Sequence, residues 1–109
     1  MNSWQQTCAI ALALCLAAAA RADDGGTVIT IKDGKFAPSE VSVPANTKVK
    51  LIVRNRDSSM SEFESVELHR EKTVGPGQEI SVFVGPLDAG KYEFFDDFNR
   101  ATNGRLVVK

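Results

Sequence analysis

The chain has 109 residues, 43% of them hydrophobic, with 13 Lys and Arg against 14 Asp and Glu for a net charge of −1. That length suits one domain with one modest core, and it excludes a Rossmann unit with a partner domain or a barrel of eight βα units. The near-neutral balance gives no footprint for nucleic acid or an anionic membrane. Residues 7–20 read TCAIALALCLAAAA without a charge, Ala20-Arg21-Ala22 is a small-x-small cleavage site, and the polar run Asp23-Asp24-Gly25-Gly26 follows. The pattern is that of a secretory signal peptide over residues 1–22, removed after Ala22, and it assigns a single domain to residues 23–109 and the protein to the periplasm. The first six residues (MNSWQQ) lack the usual Lys or Arg. The apolar run is too short to span a membrane. Both cysteines, Cys8 and Cys15, lie in the leader. The exported domain is therefore expected to have no disulfide, no thiolate metal site and no haem attachment.

From residue 27 onward, short β-rich runs alternate with turn signals. Val28–Ile31 reads as a strand and Asp33-Gly34 as a turn, and an extended stretch starts at Phe36. Glu40–Val43 alternates polar and apolar residues. At the Pro44-Ala45-Asn46 turn, Asn46 is suited to the left-handed region. Lys48–Arg54 is the clearest strand, with Val49, Leu51 and Val53 on one face and Lys48, Lys50 and Arg54 on the other. Asn55–Ser61 reads as a polar loop. Phe63–Leu68 fits either a strand or a short helical turn. Arg70–Gln78 holds Gly75-Pro76-Gly77, a turn that separates it from Glu79–Val84, and Gly85-Pro86 and Ala89-Gly90 bracket a connector. Glu79–Val84, Lys91–Phe95 and Gly104–Lys109 complete the strands. About seven or eight short strands imply an all-β antiparallel sandwich, with a small closed barrel as the alternative. Period-2 alternation assigns Val41, Val49, Leu51, Val53, Ile80, Val82, Val84, Tyr92, Phe94, Leu106 and Val108 to the core.

Two segments place carboxylates among aromatics beside loops: Met60–His69 and Glu93–Asn99. Glu62 and Glu64 are two apart and point the same way if the chain is extended, whereas the adjacent Asp96 and Asp97 diverge unless it turns. Converging carboxylates suit a hard or borderline cation, which removes their mutual repulsion; one imidazole (His69) and one thioether (Met60) could soften such a site. The same residues also fit solvated faces. Asp96 could cap a turn, and Asp96 and Glu62 could pair with Arg100 or Lys72. His69 is the only histidine, and no Ser/His/Asp arrangement can be placed.

Several runs carry a more specific signal. The stretch from Phe36 to Val49, followed by EFES, HREKTVGPG, VGPLDAGKYEFFDDF and GRLVV in order, resembles the periplasmic cupredoxin-like proteins that accompany bacterial ferrous-iron uptake permeases. The resemblance covers about residues 27–109. It implies a Greek-key cupredoxin-like sandwich and a metal site around EFES and FFDDF. Glu62, Glu64 and Asp96 would be ligands there, His69 and Met60 would tune copper, and Asp97 and Glu67 would be secondary acceptors. Relatives carry His where this chain has Asn99, and Asn where it has His69. The familiar blue-copper set of two His, one Cys and a Met is missing from the final loop, which speaks against type 1 electron transfer. The implied cofactor is copper, with iron as a second metal or substrate. The implied partners are the iron permease, a periplasmic iron-binding protein and a redox partner, met by peripheral contact with a membrane complex. The implied role is stoichiometric support of Fe²⁺ oxidation rather than enzymatic turnover. Iron delivery without redox change and a metal-free partner-binding module are the alternatives.

Overall fold

A computed structural model describes residues 22–23 and 25–109. The expected leader lies outside the described residues except for Ala22, which pairs in the first short strand. Among the described residues ten strands run in chain order: β1 (Ala22–Asp23), β2 (Gly26–Lys32), β3 (Lys35–Ala37), β4 (Glu40–Val43), β5 (Val49–Asn55), β6 (Ser61–Ser65), β7 (Arg70–Val74), β8 (Glu79–Val84), β9 (Gly90–Asp96) and β10 (Asn99–Val108). One sheet has the order β1-β2-β5-β8, with β3 also on β2, and the other has the order β4-β10-β9-β6-β7. The expected all-β sandwich is present. Its pairing is mixed rather than purely antiparallel: β2 runs parallel to β5, and β4 parallel to β10.

The local chemistry explains the turns. Asp33 and Gly34 both take positive φ (53° and 69°), as a tight two-residue hairpin requires, and join β2 to β3. The Asp57 carboxylate holds that turn by accepting the N–H of Asp33 at 2.6 Å and of Gly34 at 2.9 Å. Asn46 sits at φ 60°, in the left-handed region as expected. The ambiguous span 63–68 divides: it is strand through Ser65, then a turn over residues 66–69 in which His69 takes φ 56°. The stretch from Arg70, to which the sequence assigns no element, holds strand β7 as far as Val74. Only Val74 of that strand is buried, so it carries no alternating apolar signal.

The core lies between the sheets. Val41, Val49, Leu51, Val53, Val82, Val84, Phe94, Leu106 and Val108 are buried as the alternation predicts, and Ile80 and Tyr92 pack partly buried against them. Ile29, Ile31, Phe36, Val43, Phe63, Leu68 and Val74 complete the cluster. Phe36 meets Phe94 edge-on at 4.9 Å between centroids, and Phe63 lies 5.1 Å from Phe94. Gly104 makes room for that group, since a Cβ there would fall 2.6 Å from the Phe94 ring.

On one flank the edge strands β7 and β8 face each other across the two sheets. Arg70 Nε donates to the Phe83 carbonyl at 2.8 Å, and Lys72 Nζ donates to the Ser81 carbonyl at 3.3 Å. Alternate outward carbonyls of β8 are thereby capped by cations from the opposite sheet.

Candidate metal centre

Strand β6 builds the centre through its alternation. Ser61, Phe63 and Ser65 are buried, so Glu62 and Glu64 project from the outer face of the second sheet. At the end of β9 the chain turns, and the Asp97 N–H donates to the Glu62 carbonyl at 2.9 Å. This bond brings the Asp97 side chain beside the two glutamates. One carboxylate oxygen from each of Glu62, Glu64 and Asp97 lies within 4.8 Å of the others. Strand β7 adds Glu71 directly opposite Glu64, and Thr73 opposite Glu62. Strand β9 places Phe95 opposite Glu64 on the other side.

The electrostatics follow from this crowding. A hydrogen bond to the Glu71 side chain is the main cause that pushes Glu62 up to about 7; desolvation and repulsion from Glu71, Asp97 and Glu64 add to it. Glu64 is also raised, first by desolvation and then by Asp97 and Glu71, with Arg100 opposing. Arg100 forms an ion pair with Asp97, and its guanidinium lies 4.8 Å from the centroid of the Phe95 ring. A cation among the oxygens would offset the repulsion that the protein otherwise relieves by retaining a proton.

The remaining expected site residues sit elsewhere. Asp96 is buried, and its Oδ1 accepts the N–H of Glu62 at 2.9 Å and of Phe98 at 3.0 Å. It therefore anchors the corner that presents Glu62 and Asp97, and lies outside the converging oxygens. Glu67 accepts the Glu93 N–H at 2.7 Å and ties the turn after β6 to β9. His69 is exposed and lines a shallow depression of about 290 Å³ with Glu64 and Glu71, outside the three-carboxylate group. Met60 is 51% exposed just before β6. Of the surface pairs expected, Arg100 takes Asp97 rather than Asp96 or Glu62, and Lys72 turns away to β8. Sequence reading missed Glu71. Its only signal is a position opposite Glu64 in a hairpin whose second strand has no alternating apolar pattern.

The donor set decides what can bind. Three carboxylate oxygens fit a hard or borderline divalent cation. A blue-copper centre does not fit, because the chain has no cysteine beyond Cys15 and only one histidine.

The two packed sheets define a small β-sandwich of cupredoxin-like fold. The chain matches the Cupredoxin-like domain family over residues 6–108 and belongs to that family. It is 53% identical over 80 residues to uncharacterized protein RP394 of Rickettsia prowazekii (strain Madrid E), an alignment that takes in 73% of this chain. That alignment spans 64% of the relative's length. Among solved structures it is similar to a Cu(I) form of an amicyanin mutant, with TM-score 0.67 and 19% identity over 80% of this chain and 85% of the other. It is also similar to the metal-binding domain of the Streptococcus pneumoniae D39 Cu(I)-exporting P-type ATPase CopA with Cu(I), with TM-score 0.70 and 15% identity over 80% and 89%. At these identities the structural likeness bears on the fold.

Proposed function

We propose that the protein is an exported cation-binding cupredoxin-like component of ferrous-iron uptake, acting in the periplasm after loss of residues 1–22. Glu62, Glu64 and Asp97 would hold Cu²⁺ or an iron ion on the outer face of the second sheet, with Glu71 as a fourth acceptor. The observation that carries this reading is the convergence of three side-chain oxygens within 4.8 Å. The two glutamates of that group support the reading: Glu62 is raised chiefly by its hydrogen bond with Glu71 and Glu64 chiefly by desolvation, and in both the neighbouring carboxylates add a repulsion that a cation would offset. The runs shared with cupredoxin-like proteins of iron-uptake permeases supply the physiological setting, with the permease and a periplasmic iron-binding protein as partners.

Copper lies high in the affinity order of divalent metals, so an oxygen-rich site accepts Cu²⁺ readily. Copper held there would supply a one-electron acceptor for Fe²⁺, passing the electron on to a redox partner. The protein's own part is to gather and orient the oxygens, which β6 and the Asp96-anchored corner do. The lack of a thiolate, and the position of His69 outside the oxygen group, favour the second reading, in which the site binds and delivers iron without redox change. A calorimetric titration of the purified protein with Cu²⁺, and anaerobically with Fe²⁺, tests the proposal. Stoichiometric binding lost in Glu62→Gln/Glu64→Gln/Asp97→Asn supports it, and absence of binding by the native protein overturns it. Anaerobic mixing of the Cu²⁺-loaded protein with Fe²⁺ separates the two roles: appearance of Fe³⁺ supports oxidation, and unchanged Fe²⁺ supports delivery.

A further inference from the structure

Arg100 is the only cation that the described residues place in an ion pair with a member of the oxygen group. It lies three residues after Asp97, across the corner between β9 and β10. Its Nη2 meets Asp97 Oδ1, the same carboxylate that contributes to the converging oxygens. The guanidinium also lies over Phe95, whose backbone is in register with Glu64. A positive charge is thus already parked on one side of the candidate site. The Arg100 side chain is 71% exposed while that of Asp97 is 28% exposed. The arginine can therefore swing into water at little cost, whereas the aspartate stays.

Resting on the reading that these oxygens form a cation site, we propose that Arg100 is its built-in competitor. It occupies Asp97 in the free protein and must release it before a divalent cation gains the full oxygen set. A guanidinium keeps its charge at every physiological pH, so this competition does not titrate away. An exposed ion pair is weak, so a divalent cation shared by three carboxylates can displace it, whereas a singly charged ion gains far less from the exchange. The arginine would thereby lower affinity for all cations and leave the site responsive mainly to multiply charged ones.

The prediction has the opposite sign to ordinary damage, since removing Arg100 should tighten binding. Calorimetric titration with Cu²⁺ in a weakly coordinating buffer, and anaerobically with Fe²⁺, would compare native protein with Arg100→Gln and Arg105→Gln. Arg105 pairs with Glu40 and Glu93 elsewhere on the same sheet and supplies the same change in net charge. The expected result is binding about three- to tenfold tighter in Arg100→Gln, and within about twofold of native in Arg105→Gln. Binding by Arg100→Gln alone would be the extreme form of the same result. Equal or weaker binding in Arg100→Gln beside a native protein that binds would overturn the competitor role and leave the cation site standing. An equal gain in Arg105→Gln would reduce the effect to net charge and overturn it as well. No binding by native protein or Arg100→Gln would remove the site itself, and the competitor with it.

Discussion

Asp96 and Asp97 share a peptide bond, yet they face opposite sides of the sheet. Asp96 points inward, is 4% exposed, and uses one oxygen on two backbone N–H groups. Asp97 points outward, keeps its carboxylate among Glu62 and Glu64, and takes an exposed guanidinium as its partner. An acidic residue engaged by backbone donors is a structural element; one crowded by other acids is available for chemistry. The same division runs along β6, where Phe63 belongs to the core and its two glutamate neighbours to the outer face. Residue type alone does not assign a carboxylate to a site. The direction of the strand and the corner that follows it do.

The division can be broken from the inside first. Leu51 is fully buried, and Leu51→Ala should cost about 2–5 kcal/mol in denaturant unfolding. An unchanged midpoint would show that the inner face is misassigned. Asp96→Ala should come next, at about 1–3 kcal/mol, because it strips the acceptor from two N–H groups at a buried corner. Asp96→Asn retains an acceptor oxygen and should recover most of that loss with cation binding intact. Asp97→Asn should show the reverse, near-native stability with weakened binding. Equal behaviour of the two asparagine variants would erase the distinction between the two aspartates.

The outer face has a pH signature. Between the ordinary glutamate value of 4.5 and about 7, folded Glu62 holds a proton that the unfolded chain has released. Stability should therefore fall as pH rises through that window and then level off. Glu62→Gln should flatten the fall, and a slope unchanged by that substitution would remove Glu62 as its source. The smallest effect is expected at Asp57, whose carboxyl is held below its usual value, chiefly by the hydrogen bond from Gly34. It stabilises the β2–β3 turn above the unfolded value, and the contribution is lost as pH falls through the folded one. Asp57→Asn should lower the unfolding midpoint slightly at pH 7 and not at all in strong acid.

Much of this fold is written in alternation. Lys48–Arg54 and Glu79–Val84 show their faces directly, and the Asn46 turn announces itself by residue type. Strand direction is not written there, because a period of two is the same whether the neighbour runs parallel or antiparallel; the β2–β5 and β4–β10 pairings were invisible for that reason. Strand β7 was hidden because an edge strand lying outside the core needs no apolar face. At the site, the spacing of Glu62 and Glu64 predicts their shared face. The choice between Asp96 and Asp97 depends on where the chain turns, and the contribution of Glu71 depends on a hairpin register; neither is a local property.

The two cations that reach from β7 to β8 also affect how the protein behaves in a crowd. An exposed strand edge is a template on which another chain can add itself, and repeated addition leads to aggregation. With the carbonyls of Ser81 and Phe83 already engaged by Lys72 and Arg70, an incoming strand finds part of its docking row occupied and two positive charges in its path. A domain without a disulfide outside its expected leader has no covalent staple to hold its edges shut. This pair of side chains guards that edge without covering the acidic face on β6.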